Sequence, residues 1–147
     1  MKAFTLIELI FVIVIMGILT FIGLEYFPDN TLIDNTQELK NLINEKETFA
    51  LGYEANMSDE NDKKKVCITF NKDYLNSEEN SSRVKYFFKA DISSNVQTVC
   101  FDKFGRPFKD YIDDEDRNLL DENVKITLKY KNKEKFIIIH KQTGYVE

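Results

Sequence analysis

The sequence predicts an α+β protein, in which one long N-terminal helix, half membrane-type and half amphipathic, packs on a C-terminal antiparallel β-sheet domain. Three observations predict it. The 21 residues from Phe4 to Leu24 hold one ionisable group, Glu8. Apolar residues then recur at three- and four-residue spacing from Leu32 to Tyr53. Beyond Val66 the hydrophobic period switches to two.

Taken as a helix, Phe4–Leu24 rises roughly 30 Å, the thickness of one hydrocarbon core. Lys2 and the amino terminus precede it, whereas Glu25, Asp29 and Asp34 follow. The positive-inside bias therefore predicts a cytoplasmic N-terminus and a single pass, with the domain on the far side. A cleaved secretory signal has a shorter apolar region and an A-x-A-like site, and neither fits here. A plain signal anchor leaves Glu8 unexplained, because an acid inside the span costs about 2.5–3.5 kcal/mol.

The stretch Ala3-Phe4-Thr5-Leu6-Ile7-Glu8, continued by an unbroken apolar run, resembles the class III signal of type IV pilins and type II secretion pseudopilins. The resemblance implies a pilin-like fold and cleavage between Ala3 and Phe4 by a prepilin peptidase. It also implies N-methylation of the new Phe4 terminus. The family more often has Gly where this chain has Ala3. Glu8 matches the family's glutamate, which meets the Phe4 amine of a neighbouring subunit in a filament core. The bland alternative is neutralisation within one chain. A subunit out of axial register would bury an unpaired charge, at a cost of several kcal/mol. The implied division is a leader over residues 1–3, a transmembrane and filament-core helix over 4–27, and a periplasmic domain over 28–147.

Pro28-Asp29-Asn30 predicts a kink or short break, with Asn30 or Thr31 capping the helix that follows. The spacing of Leu32, Thr36, Leu39, Leu42, Ile43, Phe49, Ala50 and Tyr53 carries that amphipathic helix to about residue 55, near Gly52. Ser58 to Lys65 reads as a solvated loop. Five strands are expected, in Val66–Phe70, Val84–Phe87, Val96–Phe101, Val124–Tyr130 and Phe136–His140. Asn71–Arg83 and Asp110–Asn123 are the polar connections, Gly105-Arg106-Pro107 is a turn, and Lys131–Glu134 turns the last hairpin. Phe101–Gly105 and Thr143-Gly144-Tyr145-Val146 resemble the outline of the H-type minor pseudopilin branch, the GspH/FimT family. That branch's Ala-Arg pair near the helix end is absent.

Cys67 and Cys100 are the only cysteines. Outside the cytoplasm they could pair, yet in a simple meander the Val84 strand would separate them by about 9–10 Å. A disulfide and two free thiols both stay open. His140 ends an apolar strand and has no paired base and nucleophile around it. Asp113–Asp116, with Asp121 and Glu122, lacks the spacing and glycine of a calcium loop and reads as a solvated acidic loop. Lys125, Lys129, Lys131, Lys133, Lys135 and Lys141 make the C-terminal part basic, but the tail ends in Glu147 and the domain is net acidic. These lysines read as a guard against edge-strand pairing rather than a nucleic-acid patch.

No catalytic residue, cofactor or metal is expected. The expected function is that of a pilin-like structural subunit, a pseudopilin of a type II secretion or type IV pilus machine in the inner membrane. Its partners would be other pseudopilins, the prepilin peptidase and the inner-membrane assembly platform. The alternative is a competence-type minor pilin that binds DNA during uptake.

Overall fold

The apolar run folds as one helix, α1 (Leu6–Glu25), and the amphipathic stretch as a second, α2 (Thr31–Ala50). The computed structural model describes residues 5–25, 29–56, 58–77, 84–109 and 120–147, with side chains of α1 as far as Ile22. The expected break at Pro28 and the processing site at Ala3 and Phe4 lie outside the described residues. Asn30 stands at the N-cap of α2, as expected, but makes no side-chain cap; the Asp29 carboxylate accepts the Thr31 N–H at 3.2 Å instead. The helix stops at Ala50, short of the expected 55, where Gly52 takes φ +74°.

Its predicted face is buried at Leu32, Thr36, Leu39, Leu42, Ile43 and Ala50, and packs against strands of both sheets. Two polar residues, Asn35 and Lys46, are buried on that face as well.

The expected single sheet is two. β1 (Cys67–Thr69), β3 (Thr98–Phe101) and β4 (Pro107–Phe108) form one antiparallel sheet in the order β1-β3-β4. β2 (Asp91–Ser94), β5 (Val124–Tyr130) and β6 (Lys133–Ile139) form the other, in the order β2-β5-β6. Val99, Phe101, Ile126, Leu128 and Ile137 join Leu39, Leu42 and Ile43 in one core. The C-terminal residues turn back on the edge of β6: Ile138 and Glu147 exchange backbone hydrogen bonds, and Ile139 bridges Val146.

Several connections differ from expectation. Ser58–Lys65 is not a loop, because α3 (Glu60–Val66) occupies most of it. Asp59 caps the Asn61 N–H at 2.8 Å, acids fill the first turn and Lys63, Lys64 and Lys65 the last, an order that suits the helix dipole. A short helix, α4 (Lys72–Asn76), interrupts the polar connection after β1. Val84–Phe87 forms no strand. Side chains supply the neighbouring backbone with the partners a strand would have given. Asn76 accepts the Phe88 N–H at 2.7 Å and donates to its carbonyl at 3.0 Å. Asn35, only 4% exposed, accepts the Lys89 and Ala90 N–H groups at 2.8 and 2.9 Å. β6 begins at Lys133 rather than Phe136, so the last hairpin turns on Lys131 and Asn132 alone, with Lys131 at φ 55°.

With no strand at Val84–Phe87, β1 lies directly against β3. Cys67 and Cys100 are register partners and form a disulfide. On the same face Thr69 and Thr98 share a hydrogen bond at 3.0 Å. β1 is only three residues long, so the cross-link supplies much of what holds it. Replacing both cysteines by serine should cost about 3–4 kcal/mol, the chain entropy of a loop of 33 residues, read as a lower urea midpoint of the non-reduced protein.

Candidate functional site

Every described side chain of α1 from Leu6 to Ile22 is exposed, including Phe11 at 66% and Phe21 at 68%. None of the described residues of the domain covers this helix. Among the described residues no helix is long and apolar enough to cross a membrane. The α1 backbone itself is 20 residues, about 30 Å, and the sequence after Ile22 continues Gly23-Leu24. Thr20 turns its hydroxyl onto the Met16 carbonyl at 2.7 Å, which removes a free donor from an otherwise apolar surface.

Glu8 sits in the first turn of α1, with its geometry set by Thr5. The Thr5 N–H and hydroxyl donate to Glu8 Oε2 at 3.1 and 3.0 Å, and the Glu8 N–H donates back to Thr5 Oγ1 at 3.4 Å. Thr5 also accepts the Leu9 N–H through its carbonyl. These contacts make a capping box, in which threonine and glutamate three residues apart satisfy each other's orphan backbone donors. The Thr-x-x-Glu spacing was visible in the sequence, and Thr5 is the residue that reading missed. An acid in the first turn also faces the positive end of the helix dipole. Glu8 therefore has a local role in the isolated chain, whatever it meets elsewhere.

The two later motifs meet in space. Gly105 and Gly144 take φ +76° and +75°, and a Cβ on Gly144 would stand 2.3 Å from the Gly105 carbonyl oxygen. Glu47 Oε1 lies 3.1 Å from that same Cβ position, so the two turns and α2 join at one point. Desolvation at this joint raises the Glu47 carboxyl above its ordinary range. Asp102 fixes the preceding turn: it accepts the Phe104 and Arg106 N–H groups at 2.9 Å and pairs with the Arg106 guanidinium at 2.7 Å.

The remaining candidates do not form a reactive constellation. His140 lies beside the Tyr145 ring and 3.5 Å from a Glu147 carboxylate oxygen. Asp121 pairs with Lys109 at 2.9 Å and Glu122 accepts from Asn95, while Asp113–Asp116 lies outside the described residues. Among the described residues no group of acids, histidines and cysteines could hold a metal. Several of the basic residues are engaged within the domain. Lys125 stacks over Phe136 at 4.4 Å, Lys129 pairs with Glu134, Lys131 with Asp29, and Lys141 donates to the Asp121 carbonyl.

Lys46 is 2% exposed, and its ammonium donates to the Lys64 carbonyl in the last turn of α3 at 2.6 Å. Burial lowers its pKa to about 8, against a smaller opposing effect of Glu45. No family model, curated protein or solved structure matches this chain.

Two outcomes follow from these contacts. Gly144→Ala should destabilise the domain by at least about 2 kcal/mol in a urea titration, because both the positive φ and the Gly105 carbonyl oppose a side chain. Lys46 binds its proton less tightly folded than unfolded, so stability should rise between about pH 8 and pH 10. Urea midpoints across that window should lose this rise in Lys46→Met.

Proposed function

We propose that this chain is a pilin-like structural subunit, a minor pseudopilin-type component of a type II secretion or type IV pilus machine. The observation that carries the reading is an apolar helix left wholly uncovered by its own domain. Such a surface requires a cover, and lipid or the helices of neighbouring subunits supply one. Before assembly α1 spans the inner membrane, with the N-terminus in the cytoplasm and the α+β domain outside. The leader is removed between Ala3 and Phe4, and α1 then passes from bilayer to filament core.

Glu8 gives that transfer its register. In the membrane Thr5 holds its carboxylate. In the filament the Phe4 amine of a neighbour is a stronger partner, because it brings a full opposite charge to the desolvated carboxylate where Thr5 brings only neutral donors. The Cys67–Cys100 disulfide suits an oxidising compartment and supports placing the domain outside the cytoplasm. The protein acts through assembly with other pseudopilins on the inner-membrane platform, without catalysis or cofactor. The net acidic balance of the domain, and the pairing of Lys129 and Lys131 with acids, favour this reading over DNA capture.

Substitutions at Thr5 and Glu8 separate capping from assembly. Glu8→Ala should leave the membrane-fraction level unchanged and lower recovery in the sheared-filament fraction at least about tenfold, since it leaves a buried amine unpaired. Thr5→Ala removes the cap, at about 1 kcal/mol, but keeps the carboxylate, and should assemble nearly as wild type. Both fractions are measured in cells carrying the chain's own machinery. Equal incorporation of Glu8→Ala and wild type would overturn the proposal.

A further inference from the structure

The tip of the β5–β6 hairpin is tied to the segment that leaves α1. Lys131 lies 102 residues after Asp29 in sequence, yet its ammonium pairs with the Asp29 carboxylate. This contact holds the Asp29 pKa down to about 2 and raises that of Lys131. Asp29 is four residues beyond Glu25, the end of α1. Four residues of fully extended chain span at most about 14 Å, so the hairpin tip stays close to the end of α1 whatever path the intervening residues take.

The tip, residues 129–135, reads Lys-Tyr-Lys-Asn-Lys-Glu-Lys. Lys129 pairs with Glu134 at 3.1 Å and Lys131 with Asp29. Lys133 and Lys135 are exposed and have no acidic partner among the described residues. Tyr130 lies beneath the Lys131 ammonium at 5.2 Å, its ring half-buried against the core, so the lysines are what the tip presents outward. If α1 spans a bilayer, a headgroup layer of roughly 5–8 Å and a Debye length of about 8 Å cover the distance to the tip.

We propose that this hairpin tip is a docking surface for the anionic phospholipid headgroups of the membrane that α1 crosses, with Lys133 and Lys135 as the contacting charges. The inference rests on the membrane-spanning reading of α1. Two lysines bind weakly in solution, but the anchor makes the contact intramolecular and holds the tip at high effective concentration. Docking fixes how the domain stands on the membrane before assembly, and a neighbouring subunit must lift it off.

The chain contains no tryptophan, so Asn132→Trp, in the exposed turn, places a single reporter at the tip. The full chain is reconstituted into vesicles of phosphatidylcholine, or of an equal mixture with phosphatidylglycerol, each carrying a lipid spin-labelled on its headgroup. Carbonate extraction of the same vesicles reports whether α1 is inserted. The docked-to-undocked ratio, read from quenching, should be about thirtyfold higher in the anionic vesicles. High salt should abolish the difference, as should Lys133→Glu with Lys135→Glu, and the milder change of both to Gln should reduce it. A carbonate-resistant chain quenched equally in both vesicles, or in neither, overturns the docking surface and leaves the span intact. A chain released by carbonate overturns the spanning reading, and the docking surface with it.

Discussion

An apolar helix without a cover of its own governs everything else in this molecule. Among the described residues of α1, 14 large apolar side chains are exposed. At about 1.5–3 kcal/mol for each side chain fully buried, covering them is worth on the order of 20–40 kcal/mol. The insertion cost of Glu8, about 2.5–3.5 kcal/mol, is small beside that. The helix can therefore carry one acid and still partition out of water. What that acid can do is choose between covers that are otherwise equally apolar. Lipid and neighbouring helices offer α1 similar burial, and a neighbour offers Glu8 a cation that lipid tails do not.

The domain is built around an independent core, which frees α1 for that exchange. The buried face of α2 contacts both sheets, and long-range side-chain bonds hold the irregular parts in place. Asn35 and Asn76 fasten the segment around Phe88 without a strand partner. Lys46 fastens α3 to α2, and the disulfide fastens β1 to β3. None of these ties involves α1. Among the described residues, the ion pair of Lys131 with Asp29 reaches the segment between the two long helices, and it ends at the hairpin tip.

Elements with strong periodicity were legible in the sequence. Leu32, Leu39, Leu42 and Ile43 marked the face of α2 because burial needs apolar side chains at helical spacing. Val124–Tyr130 alternated clearly enough to be read as β5 with its bounds intact. The rest was hidden for identifiable reasons. Asn35 and Lys46 are polar, so pattern alone puts them outside, and only their distant backbone partners make burial tolerable. Asp-Ile-Ser-Ser looks like a turn, and becomes β2 because β5 lies alongside it. Val84–Phe87 alternates like a strand, but the backbone that follows it is taken up by the side chains of Asn35 and Asn76 instead of a partner strand. Missing that absence left the pairing of Cys67 with Cys100 unsettled. At the candidate site, Glu8 was legible from its oddity inside an apolar run, whereas its bond to Thr5 was missed although the three-residue spacing signalled it. The contact of Lys131 with Asp29 had no such signal, since no local pattern joins residues that far apart.

The central claim is that α1 is held in a membrane as a precursor and released to other subunits after its leader is cut. N-terminal mass spectrometry of the chain purified from membranes tests it most directly. The account predicts a mature protein beginning at Phe4, with its amine methylated and Glu8 at the fifth position. An intact Met1 on the assembled protein would contradict it.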